Sequence, residues 1–327
     1  MKYRDFGSSG LRVSELIFGA GAVGGILIDP DDDTKRAALR KALDGGVNWI
    51  DTAASYGQGR SEQNLGWLLK EIDETPYLST KFSVDPEAGD IPGQIEQHME
   101  ESLTRLQRDS VDLFQLHDRV STERGWFQGS LSVEDVLGAG GVADGLDRLR
   151  EQGLTRLIGF TATGETPALH EVVRSRRFDS AQVYYNLLNP SAGRPVPAGW
   201  ATHDYGNLIA TCADNGVAVM NIRVLAAGVI ATDVRHGREM PVGPGADVAA
   251  DERRTAMVVE ALGEEYGARA QFAVRYALCN PGVSGVLVGF AELEHIDLAL
   301  GAVEMGPLPE EAMDRLDRLI STDFGRL

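Results

Sequence analysis

Three things are scarce in this sequence. Only two cysteines, Cys212 and Cys279, occur in 327 residues, far apart and without CxxC or Cys/His spacing. That argues against a disulfide-stapled scaffold and fits two separate thiols in a reducing compartment. No apolar run approaches the roughly 18 to 20 residues needed to cross a bilayer, and the opening MKYRDFGSSG has no apolar stretch of the secretory kind. Positive charge is scarce too: 31 Lys and Arg stand against 49 Asp and Glu, a formal net charge of −18. Such a surface repels phosphate backbones and anionic lipid, which speaks against nucleic-acid or membrane partners. The six histidines show no HxH or HExxH spacing, so metal catalysis is not indicated. The expectation is a soluble, cytoplasmic, acidic protein whose oligomeric state is not readable.

What is present is an alternation of strand and helix. Short apolar runs fall at 16–19, 47–52, 77–82, 111–117, 154–161, 180–185, 217–222 and 285–289. Several are β-branched and continuous, as in parallel strands buried on both faces. Helical spacing fills the gaps. Asp33 is placed to cap a helix over 34–43, Pro92 to open one carrying Ile95, Met99, Leu103 and Leu106, and further helices fit 142–152, 165–175, 205–215, 251–266, 270–279 and 293–301. Residues 309–327 read as one more amphipathic helix.

Eight strands, each followed by a helix, predict an α/β protein: one (β/α)8 TIM barrel over residues 1–327, with extended βα loops and an extra C-terminal helix. The runner-up is an open doubly wound sheet, for which GAGAVGG after the first strand matches G-x-G-x-x-G. The residues that follow, ILIDPDDD, hold a proline and acids that would repel a pyrophosphate. The acidic cluster 29–33 reads as a solvated helix start. Two insertions, 117–141 and 225–250, would lie at the C-terminal mouth, where barrel enzymes build their sites.

Four chemically able residues stand at or just past successive strand ends: Asp51 in VNWID, Tyr56 in DTAASYGQG, Lys81 in YLSTK and His117 in VDLFQLH. Each alone has a bland reading, as a turn residue, a packing ring, a solvated ammonium or a satisfied imidazole. Together they form a set that suits hydride chemistry. Reducing a carbonyl puts charge on its oxygen and calls for a proton donor. A tyrosine near pKa 10 is poor at this unless an ammonium favours the phenolate. A carboxylate holds that ammonium, and a histidine hydrogen-bonds the substrate oxygen.

DTAASYGQGRSE, LSTKF and DLFQLHD resemble signature regions of the aldo-keto reductase superfamily, as do IGFTATGE, AQVYYN and Leu225–Gly228, in the same order. The resemblance covers essentially the whole chain. It implies the barrel and NAD(P)-dependent reduction of a small aldehyde, ketone or aldose sugar, or the reverse oxidation. Tyr56 would be the acid–base, Lys81 and Asp51 its tuning pair, and His117 the substrate-orienting residue. Thr161 and Gln182 would meet the nicotinamide carboxamide, Ile222 its ring, and Leu225, Ala226 and Gly228 the pyrophosphate. Gly19, Ala20 and Asp51 border that site, and Gly289, Phe290 and His295 would hold the adenosine end.

The sequence departs from the family pattern where Ser-Asn becomes Thr161-Ala162, an aromatic becomes Ile222, and Ser becomes Arg223, a residue able either to clamp pyrophosphate or to pair with a neighbouring loop acid. After the eighth strand, GFAELEHIDL carries no Lys or Arg for a 2′-phosphate, which leans toward NAD or dual use against the family's NADP preference. Two alternatives stay open: an aldolase-like barrel forming a Schiff base on Lys81, and a weakly active nucleotide-sensing barrel. Trp126, Phe127 and Trp200 read either as an apolar substrate wall or as loop packing.

Overall fold

The computed structural model describes residues 1–235, 237 and 247–327. Eight parallel strands close into a barrel: β1 Leu16–Gly19, β2 Trp49–Asp51, β3 Tyr77–Phe82, β4 Val111–Leu116, β5 Thr155–Ala162, β6 Ser180–Tyr184, β7 Ala218–Ile222 and β8 Gly285–Gly289. Each pairs with its chain neighbours, and β8 pairs with β1 through Val286 against Leu16 and Gly289 against Gly19. The open-sheet alternative is thereby set aside. GAGAVGG leads into turns, not a helix. A Cβ on Gly24 would come within 2.3 Å of the Phe290 carbonyl oxygen, so this glycine is required for close backbone packing against the end of β8.

Helix ends follow the local chemistry. The helix expected over 34–43 runs Asp32–Asp44, and its cap is Asp31, not Asp33. Asp31 keeps extended backbone and accepts from the Thr34 amide, while Asp33 lies in the first turn and pairs with Arg36. Pro92 lies in the first turn of Ile91–Leu106, capped by Asp90. The expected 251–266 helix is Val248–Leu262, shifted because Asp247 caps the amides of Ala249 and Ala250. The last helix is Glu310–Ser321. Beyond it, a left-handed turn at Asp323 and Phe324 ends the helical run.

The 117–141 insertion is partly ordered into two-residue strands, Val120–Ser121 and Leu131–Ser132, and a short helix Val133–Leu137 closed by a Ser132/Asp135 capping box. Much of the expected 225–250 loop lies outside the described residues. Its start is a tight turn at Ala226–Gly228, with positive φ at Ala226 and Ala227.

Among the described residues, two apolar cores result. The larger joins the outer faces of the strands to the helices, through residues such as Phe18, Ile50, Phe114, Ile158 and Val219. The smaller fills the base of the barrel with Ile17, Trp49, Leu113, Leu157 and Met220. It is closed from below by an antiparallel pair, Tyr3–Asp5 with Arg12–Ser14, whose connection inserts Phe6 against Trp49 at a ring separation of 4.6 Å. This plug had no expectation in the sequence.

Candidate active site

Alternation along the strands decides what stands above that base. Trp49 and Asp51 share one face of β2, Ser79 and Lys81 one face of β3, and Leu113 and Gln115 one face of β4. Register then sets Asp51 beside Ser79 and Lys81 beside Gln115. Asp51 and Lys81 are almost wholly enclosed, at 1% and 0% side-chain exposure. The Lys81 ammonium donates to Asp51 Oδ2 at 2.5 Å and to the Thr52 carbonyl at 2.8 Å. Asp51 Oδ1 accepts from Ser79 Oγ at 2.6 Å, Gln182 Nε2 at 2.8 Å and Gln115 Nε2 at 3.2 Å. A buried ion pair persists only with its other lone pairs and protons satisfied, and here they are.

Tyr56 arrives from the side. Its loop bends through Gly57, Gln58 and Gly59, all at positive φ. It is fixed by Ser61, whose hydroxyl bonds the Ala20 carbonyl at 3.0 Å and lies 2.7 Å from Thr52 Oγ1. Behind it, fully buried Glu62 accepts from Thr80 Oγ1 and Arg105 Nε, both at 2.6 Å, locking the following helix to β3. The phenol oxygen consequently lies 3.4 Å from the Lys81 nitrogen. His117, just past β4, sets its ring edge-on to Tyr56 at 5.8 Å. The structure therefore brings all four expected residues together.

Their electrostatics are unequal. Burial pulls the Lys81 ammonium down, but Asp51 and Tyr56 more than offset this and hold it above the usual lysine value. For His117, burial and then the charges of Lys81 and Arg223 act in one direction and bring it to about 3. At neutral pH the imidazole is uncharged, a hydrogen-bond donor and not an acid.

On the other side of the mouth, Thr161 and Gln182 are register partners on β5 and β6. Thr161 Oγ1 is buried and has no partner within the protein. A buried hydroxyl left unpaired is costly, so this atom is suited to a polar ligand such as a carboxamide. Ile222 ends β7 half-buried beside Tyr184, and Gly19 lies between Asp51 and Gly289 in the barrel register. The Ala20 amide is spent on the Asp51 carbonyl at 2.9 Å. Leu225, Ala226 and Gly228 form the turn after β7. The Phe290 side chain is core, packed at 5.1 Å on Phe18. His295 is exposed, and its ring accepts from the Ala291 amide at 3.4 Å, close to the start of its own helix.

Ser79 and Gln115 were not anticipated, although stepping back two residues from Lys81 and His117 reaches both. Gln115 has room because β5 carries Gly159, where a Cβ would lie 3.1 Å from its Cγ. Trp200 parts company with the other two tryptophan-loop candidates. It packs with Phe324 and Arg254, and Arg254 pairs with Asp323 at 2.5 Å. Trp126 and Phe127 are part-exposed on the 117–141 loop, Trp126 edge-on to His203 at 6.2 Å. Both cysteines are free thiols.

The model of the Aldo/keto reductase family matches residues 15–321. The chain belongs to the aldo/keto reductase family. L-galactose dehydrogenase of Arabidopsis thaliana is 25% identical over 314 residues, covering 93% of this chain and 88% of that one. A probable voltage-gated potassium channel subunit beta of the same plant is 26% identical, covering 98% and 97%. The holo form of aldo-keto reductase AKR11C1 from Bacillus halodurans superposes with a TM-score of 0.74 at 22% identity over 98% of this chain and 96% of that one, a likeness of fold. Membership makes this chain an oxidoreductase of a family that uses NAD(P)(H) and acts on small carbonyl compounds. Among the described residues, no helix is long and apolar enough to cross a membrane.

Proposed function

We propose that this aldo-keto reductase interconverts a small aldehyde, ketone or aldose with its alcohol, with Tyr56 as the proton donor and acceptor. The observation that carries this reading is the 3.4 Å approach of the Tyr56 hydroxyl to a buried, charged Lys81. When bound, the nicotinamide supplies or accepts the hydride. The chain's residues do the rest. Lys81 stabilises the phenolate left when Tyr56 gives up its proton, and Asp51 keeps Lys81 charged and fixed. Neutral His117 donates a hydrogen bond to the substrate oxygen.

Thr161 and Gln182 would hold the carboxamide, Ile222 the ring face, the Leu225–Gly228 turn the pyrophosphate, and the stretch after Gly289 the adenosine end. That stretch supplies no cation for a 2′-phosphate, so NADH serves as well as NADPH. Free thiols and an acidic surface favour a cytoplasmic setting. The relative named L-galactose dehydrogenase puts aldoses first among the substrates to try. Schiff-base chemistry is not favoured, because an ammonium locked to Asp51 has no free electron pair to attack with.

The test is a spectrophotometric screen of aldoses, aldehydes and alcohols with both cofactors in both directions, repeated on Tyr56→Phe. Turnover should fall by about 10²- to 10⁴-fold with cofactor binding preserved. A variant keeping more than roughly a tenth of wild-type turnover would remove Tyr56 from the role. Binding of NADPH roughly a hundredfold tighter than NADH, near 2.7 kcal/mol, would end the dual-cofactor reading.

A further inference from the structure

Of the four residues gathered at the mouth, Tyr56 has the least direct support from the barrel. Asp51 and Lys81 stand on strands, and His117 follows β4 at once. Tyr56 lies in the loop after β2, and the chain beyond it turns through three successive left-handed residues, Gly57, Gln58 and Gly59, with φ of 60, 57 and 85. Gln58 is strained in that conformation and has to be held there by its surroundings. Backbone bonds hold this turn loosely. The amides of Gln58, Arg60 and Ser61 reach the carbonyls of Ser55, Gly57 and Tyr56 at 3.3 Å each, beyond the usual range. Gly59 offers no side-chain cap to the helix Arg60–Leu68 that follows.

The chain is nevertheless tied to β3 on both sides of Tyr56. Before it, the Ala54 amide reaches the Lys81 carbonyl at 3.3 Å. After it, Glu62 accepts from Thr80 Oγ1 at 2.6 Å, and Thr80 is the residue next to Lys81 on the same strand. Lys81 faces the barrel interior, so Thr80 faces outward, toward the helix that carries Glu62. The second tie is the shorter and stronger of the two, being a hydroxyl on a carboxylate.

Arg105 makes that tie rigid. Its Nε donates to the other Glu62 oxygen at 2.6 Å, and its Nη2 donates to Ser102 Oγ at 3.2 Å on its own helix, Ile91–Leu106. Glu101 lies 3.8 Å from its Nη1. The arginine stem passes against Gly59, where a Cβ would come within 2.7 Å of Cδ. One turn further on, a Cβ on Gly66 would meet the Arg105 carbonyl oxygen at 2.5 Å, so the two helices touch backbone to backbone. Glu62 itself is wholly buried. A carboxylate so enclosed has to keep its cation, which fixes its position as well as its charge.

The distance at stake is small. The 3.4 Å between the Tyr56 hydroxyl and the Lys81 nitrogen is at the long end for a hydrogen bond, and a slip of a few tenths of an ångström parts the two groups. Resting on the Tyr56 reading above, we propose that Glu62, braced by Arg105, is a positioning residue for the reaction: by tying the chain past Tyr56 to Thr80, it sets the separation of the phenol from Lys81. It touches neither substrate nor cofactor. Its effect on turnover passes through Tyr56 alone.

The test uses the full chain with NADH and butanal, or glyceraldehyde if the broad screen prefers it, and the matching alcohol in reverse. Glu62→Ala removes both arms of the brace, and kcat and kcat/KM should fall together by roughly tenfold. Thr80→Val removes one arm and should cost roughly threefold, while Thr80→Ser, which keeps the hydroxyl, should match wild type. Glu62→Gln should recover most of the loss, since its oxygen can accept from Arg105 while its amide donates to Thr80. The NADH dissociation constant should move by less than about threefold throughout. In Glu62→Ala the pH profile of alcohol oxidation should shift to higher pH, because a more distant ammonium favours the phenolate less. Combined with Tyr56→Phe, Glu62→Ala should cost less than about twofold more. If Glu62→Ala does not fold, the two Thr80 variants decide the matter by the same readouts. An unchanged kcat and pH profile in folded Glu62→Ala, or in Thr80→Val, overturns the proposal. So does an equal loss with and without Tyr56, which would make Glu62 a stability residue only. Full turnover in Tyr56→Phe would instead sink the Tyr56 reading, and this proposal with it.

Discussion

At the base of the barrel, Phe6 stacks on Trp49 at 4.6 Å, among Ile17, Leu113, Leu157 and Met220. One step along the same strands, above Trp49 and Leu113, stand Asp51 and Gln115, with Ser79 and Lys81 beside them on β3. The two layers differ in kind. The lower is held by apolar burial, which is non-directional and tolerates repacking. The upper is held by directed bonds to a buried charge, where the loss of one partner strands the others. Chemistry is thereby confined to the upper layer, while the lower layer carries none, on one set of strands.

Four substitutions or titrations press on this division. The largest effect belongs to Lys81→Met. Turnover should drop by about 10²- to 10⁴-fold, and stability by about 3–5 kcal/mol because Asp51 is left buried and unpaired. Lys81→Met/Asp51→Asn should recover much of the stability and none of the activity; recovery of turnover would break the division. Next, Phe6→Ala should cost about 3–5 kcal/mol of unfolding free energy. Its kcat, measured well below the melting temperature, should stay within about twofold of wild type, since the plug lies at the face opposite the mouth. A large fall in kcat for the folded variant would show that the base reaches into the chemistry.

Thr161→Val is a smaller change within the upper layer. It removes a buried hydroxyl with no partner in the protein. The free protein should be as stable or slightly more so, while cofactor binding weakens by about 0.5–1.5 kcal/mol, read by fluorescence titration. The smallest effect is a null. His117 titrates near 3 in the folded protein against about 6.5 unfolded, so kcat/KM should show no histidine ionisation between about pH 5 and 8. The same shift has a sign for folding. Below about pH 6.5 the unfolded chain binds a proton that the folded chain refuses, so this contribution lowers stability as pH falls toward 3. A bell-shaped profile lost in His117→Gln would refute the neutral imidazole.

How much of this was legible depended on whether the signal was local. β3 and β8 match the expected 77–82 and 285–289 runs, because continuous apolar stretches report parallel strands directly. The four polar residues were visible because each ends or follows such a run. Partners that depend on register were not. Gln182 comes from a strand far from Asp51 in sequence, and only barrel closure brings its amide within 2.8 Å. Helix starts slipped for a local reason: Asp31, Asp32 and Asp33 all have capping chemistry, and backbone angles choose among them. The base plug was missed because three-residue strands carry too little periodicity to register. Trp200 was grouped with Trp126 by residue type, whereas the pull of Arg254 and Phe324 took it elsewhere.

The seam between β1 and β8 ties residues 16–19 to residues 286–289, almost the whole chain apart. In folding terms this is a contact of very high order, formed only after a large loss of loop entropy. Until it forms, β1 and β8 each present an unpaired edge, the kind of surface that pairs with other chains. The closure that aligns Gly19 with Asp51 and Gly289 therefore also sets the interval during which newly made chains are most prone to aggregate.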